Sequence, residues 1–342
     1  MSDGDAAAEA SAKSDKPPPK SEKAPASAGP QSIDSAIKLT GVRKLFGAKA
    51  AVDGVTFRVP KGSVFGLIGP NGAGKTTTFS MMAGFLEPTE GSLEMLGYSP
   101  RDTDNLRGRL GVLPQDAVLP ASDRVGDFLV YLGRLQGMSK DRAQDEARKA
   151  LAEVEGRDWW FAKCGALSHG MAKRVQLAQA LLGDPEVVLL DEPTAGLDPR
   201  VAYGVRQLVK SHKGRCTLII SSHNLHELEE ICDHAAVLDH GRLVAHGSMA
   251  ELTASSEEVH IELAAGPPVP LEALRAIPII RTVNFDEARR DLSIDFSREA
   301  ADAETVIGHA LMCLLQHGAR ISGVTKGKGL EQRVMELTAG NG

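Results

Sequence analysis

The chain has 342 residues, a formal net charge of -6 and a sequence pI of about 6.0, with 25% of its side chains charged. That balance carries no basic footprint for wholesale nucleic-acid binding. No run approaches the roughly 18 consecutive apolar residues that a membrane-spanning helix needs; Val187–Leu190 and Leu218–Ile220 are strand-sized.

Met1 to Ala10 are small and acidic and do not read as a secretion signal. Residues 1–32 are rich in Ala, Ser, Pro and Lys, with Pro17-Pro18-Pro19 in the middle. Too little apolar surface is present to offset the entropy of ordering them, so a disordered tail is expected. Ile37–Leu39 and Val52–Val59 then read as strands, and Val64–Ile68 as a short apolar strand running into a glycine loop. A helix is expected over Lys75 to Phe85, with short strands at Leu93–Met95 and Leu110–Leu113. Ala143, Ala147, Leu151 and Val154 recur at helical spacing behind a cap at Ser139, which makes residues 122–165 a mostly helical stretch. A further helix opens at Ser168, with Val175, Ala178 and Leu182 on one face. Val187–Leu190 is apolar throughout, as in a strand buried in a parallel sheet. Pro199–His212 reads as a helix, Cys216–Ser221 as a strand and Leu225–Cys232 as a helix. Strands alternating with helices imply a parallel sheet covered on both faces. After about Glu251 the pattern changes. Val259, Ile261 and Leu263, then Val283 and Phe285, then Leu292, Ile294 and Phe296 alternate with polar residues, as in half-buried strands. A helix carrying Val306, Ala310 and Leu314 follows, and a last one with Leu330, Val334 and Leu337; Gly266-Pro267-Pro268 is expected as a loop.

The segment Gly69-Pro70-Asn71-Gly72-Ala73-Gly74-Lys75-Thr76 matches the phosphate-loop spacing G-x-x-x-x-G-K-[ST], between a strand and a helix. Its glycines let successive backbone N–H groups face one concavity, and the following helix adds its positive end. Lys75 has the reach for the β- and γ-phosphates of a nucleotide, the Thr76 hydroxyl suits Mg²⁺, and Thr77 is next in line for the phosphates. Downstream, the apolar run Val187–Leu190 ends in Asp191-Glu192. Charges at the end of a buried strand are costly without a task. Asp191 fits Mg²⁺, and Glu192, one residue on, is expected to point elsewhere and serve as the general base toward water. The four cysteines, Cys164, Cys216, Cys232 and Cys313, lie far apart without ligand spacing and read as reduced thiols of a cytosolic protein.

Between loop and acids lies Leu167-Ser168-His169-Gly170-Met171, opening a helix. It resembles the Leu-Ser-Gly-Gly-Gln signature of ABC-transporter ATP-binding subunits. The other elements follow in that family's order. Phe46 corresponds to the aromatic that stacks on adenine. Gln115 corresponds to the glutamine that joins core and insert, and it is assigned with Thr76 and Asp191 to the metal. Ala195-Gly196-Leu197-Asp198 corresponds to the loop after the acids, and His223 to the switch histidine. The resemblance covers residues 37–250 or so and is nearest to exporter or drug-resistance subunits, whose small accessory domain is similar to the segment ending Gly329-Leu330-Glu331-Gln332-Arg333-Val334.

The resemblance implies an α/β P-loop NTPase core with a parallel sheet, an N-terminal antiparallel β subdomain and a helical insert at about 116–167. The core spans 33–250, and a small α+β accessory domain spans 256–342. It implies an ATPase of catalytic residues Glu192, His223 and Gln115, working with ATP and Mg²⁺. Ser168, Gly170 and Asp198 join the phosphate loop in holding nucleotide, sandwiched between two such subunits head to tail. A separate membrane permease is the implied partner, which places the chain at the cytoplasmic face of the membrane; no nucleic acid is expected. Two residues depart from the signature. His169 puts a side chain where backbone approaches phosphate, and Met171 loses a polar contact. Trp159-Trp160 is assigned to the insert's core or its permease-facing surface. A soluble ABC-type ATPase without a permease is the alternative function, and a nucleotide sensor with negligible turnover a third, opposed by the intact Asp191-Glu192.

Overall fold

The computed structural model describes residues 34–253, 258–297, 300–326, 330, 334–335 and 338. The tail expected over 1–32 lies outside them, as do Gly329, Glu331, Gln332, Arg333 and Leu337. The chain runs β1 (Ser35–Phe46), β2 (Lys49–Pro60), β3 (Val64–Ile68), α1 (Lys75–Met82), β4 (Glu90–Met95), α2 (Thr103–Leu106) and β5 (Leu110–Leu113). Next come α3 (Val125–Leu135), α4 (Lys140–Glu153), α5 (His169–Ala180), β6 (Val187–Asp191), α6 (Pro199–His212), β7 (Thr217–Ser221) and α7 (Leu225–Ile231). The last third holds β8 (His234–Asp239), β9 (Arg242–Ser248), α8 (Met249–Thr253), β10 (Glu258–Leu263), α9 (Leu271–Arg275), β11 (Ile280–Asp286), β12 (Asp291–Phe296), α10 (Ala303–Gln316) and β13 (Ile321–Lys326).

The central sheet has the order β5-β6-β7-β3-β8-β9, parallel except for the antiparallel pair β8–β9. Its inner strands β3, β6 and β7 are buried along their whole length. Their side chains alternate between two cores, as the two-residue strand period requires. Phe65, Leu67, Val187, Leu189 and Ile219 face α1 and the small antiparallel sheet β2-β1-β4. Val64, Ile68, Val188, Leu190, Leu218 and Ile220 face the side covered by Val175 and Ala178 of α5, Val205 of α6 and Leu228 of α7. Each such aliphatic side chain stabilises the fold by about 1.5–3 kcal/mol when fully buried. Phe57 of β2 stacks on Phe65 of β3, ring centroids 5.4 Å apart, and this contact locks the small sheet onto the large one.

The insert is helical as expected. Ser139 caps α4, its hydroxyl accepting from Arg142 N at 3.2 Å. The insert's two ends are stitched together where Cys164 N donates to Asp123 O (2.9 Å) and Val125 N to Ala162 O (3.0 Å). Trp160 packs over Gly126 of α3, so that indole belongs to the insert's own packing. In the last third the sheet order is β11-β12-β10-β13, antiparallel throughout. Val259, Ile261, Leu292 and Ile294 meet Val306, Ala310 and Leu314 of α10 in a third core.

Several elements differ from expectation. β1 and β2 are each 12 residues long, because bulges let polar stretches such as Thr40–Gly41 stay within a continuous hairpin. The expected α1 ends three residues early, at Met82, where Gly84 takes a left-handed turn. The strands β8, β9 and β13 and the helix α9 carry no clear period. β9 and β13 are edge strands, exposed on one side, so they need no apolar alternation.

Candidate nucleotide site

β3 runs out of the sheet into the loop Gly69–Gly74, and α1 starts at Lys75. The loop's path depends on two glycines. Gly69 has φ 152°, and a Cβ there would sit 2.2 Å from Leu238 O. Gly74 caps α1 with φ 98°, and its Cβ would meet Ala51 O at 2.6 Å. No side chain fits at either place, because both backbones approach their neighbours closely. Above the loop opens a cavity of about 890 Å³, within the range of small-molecule sites.

Into that cavity the fold brings Phe46 from the end of β1, Asn71, Gly72, Gly74, Lys75, Thr76 and Thr77 from the loop and α1, and Gln115 from beyond β5. Asp191 and Glu192 at the end of β6 and His223 beyond β7 complete it. Gly69, Pro70 and Ala73 belong to the loop but do not line the cavity. The Lys75 ammonium folds back onto the carbonyls of Gly69 (2.6 Å) and Pro70 (3.1 Å). Phe46 is 51% exposed, with the Lys44 ammonium over its ring at 5.5 Å from the centroid. A second groove of about 450 Å³, between α4, α5 and α6, holds none of the phosphate-loop residues.

Asp191 is 4% exposed and its carboxylate accepts from the Ser221 hydroxyl. Burial pushes its pKa up, opposed by the Ser221 hydrogen bond and by Lys75 and Lys173. Burial likewise pulls Lys75 below the usual lysine range, with Glu192 and Asp191 pulling the other way. Glu192 does point away from Asp191, but not by strand alternation. β6 stops at Asp191, and Glu192 adopts a left-handed φ of 49°, a strained turn for a residue with a Cβ. Its carboxylate lies 2.9–3.0 Å from His223 Nδ1, while the His223 ring is 68% exposed toward the cavity. The Glu192 carboxylate is thus held against a histidine whose ring is largely exposed. Thr76, Gln115 and Asp191, all lining this cavity, carry hard oxygen donors. Among the described residues no cluster of three or more His, Cys, Asp or Glu could hold a metal by itself. That donor set fits Mg²⁺, which takes one or two carboxylates and fills its shell with phosphate and water.

Three expected nucleotide contacts beyond the phosphate loop, Ser168, Gly170 and Asp198, also lie outside the cavity. Ser168 caps α5, accepting from Met171 N at 3.3 Å. Gly170 packs beside Val201. Asp198 caps α6, its carboxylate accepting from Arg200 N (3.0 Å) and Val201 N (3.1 Å). Within one chain none of them reaches the phosphate loop. The His169 ring leans toward Gly196, its Nε2 3.4 Å from where a Cβ on that glycine would sit. Sequence reading missed Ser221 and Lys173. Ser221 ends a strand like any other serine, and Lys173 shows only as a lysine four residues before the buried Leu177.

Comparison with known proteins agrees with this geometry. The family model described as ABC transporter matches residues 52–195. The Nod factor export ATP-binding protein I of Paraburkholderia xenovorans is 37% identical over 254 residues, covering 73% of this chain and 83% of that protein. A daunorubicin resistance ATP-binding protein of Streptomyces coeruleorubidus is 36% identical over 262 residues, with 76% and 83% covered. The solved structure of cbiO1 from Clostridium perfringens, part of the ABC transporter complex cbiONQ, superposes with a TM-score of 0.57 at 27% identity, covering 64% of this chain and 90% of that one. The chain belongs to the ATP-binding subunits of ABC transporters, ATPases coupled to transport.

Proposed function

We propose that this chain hydrolyses MgATP in the cavity above Gly69–Gly74 and so energises export through a separate membrane permease. The observation that carries the reading is the meeting of the phosphate loop, Asp191, Glu192 and His223 in one cavity. Loop amides and Lys75 hold the phosphates, and Phe46 stacks on the base. Mg²⁺, held by Thr76, Gln115 and Asp191, would offset phosphate charge. Glu192 takes a proton from water, whose oxygen attacks the terminal phosphorus as the bond to the β-phosphate oxygen breaks. His223 orients Glu192 and reaches the terminal phosphate.

Ser168 and Gly170 lie outside the cavity of their own chain, and this favours a head-to-tail pair. The start of α5, with its free N–H groups, seals the nucleotide held by the other protomer, and Asp198 lies in the loop that faces it. ATP then glues the pair and hydrolysis releases it, turning binding energy into motion of the insert. We place the ATPase core at 33–250 and the accessory domain at 256–342. Among the described residues no helix is long and apolar enough to cross a membrane. Its kinship with ATP-binding subunits of transporters supports a place as a peripheral subunit at the cytoplasmic face. The relatives named for Nod factor export and daunorubicin resistance favour export as the direction.

Glu192→Gln tests the reading. Steady phosphate release is expected to fall at least about a hundredfold, while ATP accumulates a dimer seen by light scattering. Turnover at the wild-type rate would remove Glu192 as the base. A monomer at saturating ATP would remove the head-to-tail pair.

A further inference from the structure

The turn that joins β8 to β9 forms part of the cavity wall. Asp239 pairs with Arg242 across it, which leaves His240 and Gly241 as a two-residue hairpin loop. Both have left-handed φ, 45° and 79°. A hairpin of this kind favours Asn, Asp or Gly at its first central position. A histidine there strains the backbone, and such strain gathers at binding sites. Glu192 is the other non-glycine cavity residue, among those described, with a left-handed φ.

The turn is fixed on two sides. Gly241 N donates to Ala73 O of the phosphate loop (3.1 Å), and Asp53 N of β2 donates to Gly241 O (2.8 Å). Arg242 also holds the Asp53 carboxylate, at 3.0 Å. A Cβ on Gly241 would fall 2.8 Å from Ala51 O. His240 therefore stands where β2 meets the phosphate loop. On the β2 side, Lys49 pairs across its hairpin with Phe46, the platform for the base. The His240 ring lines the cavity and is 85% exposed. Its Nε2 lies 3.8 Å from Asp239 Oδ1, too far for a hydrogen bond, and the ring makes no other polar contact among the described residues. In either tautomer an imidazole carries an N–H donor, and sugar hydroxyls and phosphate oxygens accept. We propose that His240 is a nucleotide-binding residue, whose ring N–H donates to an oxygen of the sugar and α-phosphate, the segment that spans from Phe46 to the phosphate loop. This rests on the reading of the cavity as the ATP site. The segment does not react, so the contact is equally strong before and during hydrolysis. It lowers KM and leaves kcat alone.

The test uses the full chain with His240→Asn and His240→Gly, both suited to a left-handed φ. Affinities for ATP, 2′,3′-dideoxy-ATP and AMP with Mg²⁺ are measured by competition with a fluorescent nucleotide, beside KM, kcat and melting temperature. ATP and AMP are each expected to bind about fivefold more weakly to both variants, the loss of one hydrogen bond. KM should rise by the same factor, with kcat within about twofold and the melting temperature no lower than the wild type's. A smaller loss for the dideoxy analogue than for ATP places the contact on the sugar, and an equal loss places it on the α-phosphate; both uphold the inference. It is overturned if ATP affinity stays within about twofold in both variants, or if kcat falls at unchanged KM. A loss for ATP with none for AMP also overturns it, since the ring would then meet the outer phosphates. Unaltered His240 variants beside a wild type that binds MgATP sink this inference alone. A wild type that does not bind MgATP sinks the proposed function as well.

Discussion

Lys75 shows how one residue can serve two states. In the structure its ammonium closes on the carbonyls of Gly69 and Pro70, holding the loop shut on itself. Burial lowers its pKa, and the nearby Glu192 and Asp191 pull the other way. Phosphate oxygens offer a stronger, charge-assisted set of acceptors than two carbonyls. Replacing it by Ala should therefore cost roughly 2–3 kcal/mol of nucleotide affinity, one to two powers of ten in Kd, and leave the melting temperature of the free chain nearly unchanged. Titration with a fluorescent nucleotide checks the first and calorimetry the second. Undiminished affinity would mean that the loop amides do the binding unaided. At this scale legibility was uneven, for a physical reason. Lys75, Thr76, Asp191 and Glu192 sit in short contiguous patterns whose spacing is itself the chemistry. Ser221 meets Asp191 only because β7 lies beside β6, and that neighbourhood is a tertiary fact. The strand period put Glu192 in the right direction for the wrong reason, since a left-handed turn aims it.

Between elements, the insert is tied to the sheet domain by a contact between two helix ends. Glu153 closes α4 and His212 closes α6, with His212 Nε2 3.3 Å from the Glu153 carboxylate. His212 Nδ1 lies 2.9 Å from Leu208 O, which leaves Nε2 to face the acid, and Arg215 adds a weaker pull on Glu153 at 3.6 Å. The hydrogen bond to Glu153 raises the His212 pKa against a burial penalty, and the same bond lowers that of Glu153. The signs set a window. A raised histidine stabilises fully below its unfolded value of 6.5 and loses that contribution as pH climbs through its folded value. A lowered carboxylate stabilises fully above 4.5 and loses it as pH falls through its folded value. Both describe one interaction, fully present between those two pH values and worth about 1–3 kcal/mol for a partly buried charged pair. His212→Gln should therefore lower the melting temperature most at about pH 5.5, inside that window, and progressively less as pH climbs above it through the folded value of His212. Melting curves across pH settle it; a gap that does not narrow as pH rises would mean that His212 contributes by shape alone. Helix periodicity found both helices, and Pro199–His212 to the residue, because Asp198 and Pro199 mark the start of α6. It could not pair their ends, since the two are separated by a strand and a signature helix.

Across the whole molecule, the chain's last segment returns to the ATPase core. Leu330 is fully buried and Val334 nearly so, both in the same core as Leu228 and Ile231 of α7, and Leu330 N donates to the Glu229 carboxylate at 3.3 Å. α7 starts two residues after His223, and its other carboxylates are held by α6: Arg206 pairs with Glu227 and Glu230, and Lys210 with Glu230. Glu227 also accepts from the Thr194 hydroxyl at 2.6 Å, two residues beyond Glu192. One chain of contacts thus runs from Thr194, two residues after the acids, through α7, to Leu330 beyond β13. Leu330→Asp places a charge in that core without a partner, and should cost about 3–5 kcal/mol of stability. A merely appended tail would lose nothing. The same variant separates anchoring from catalysis: cleavage by a nonspecific protease should move to the chain end at low protease, while MgATP affinity at the distant loop stays within about threefold. If Leu330→Asp melts with the wild type, the last segment is not seated on α7. If it melts early and also loses ATP affinity, the damage has spread through α7 to His223, and the C-terminal anchor is part of the nucleotide site's support.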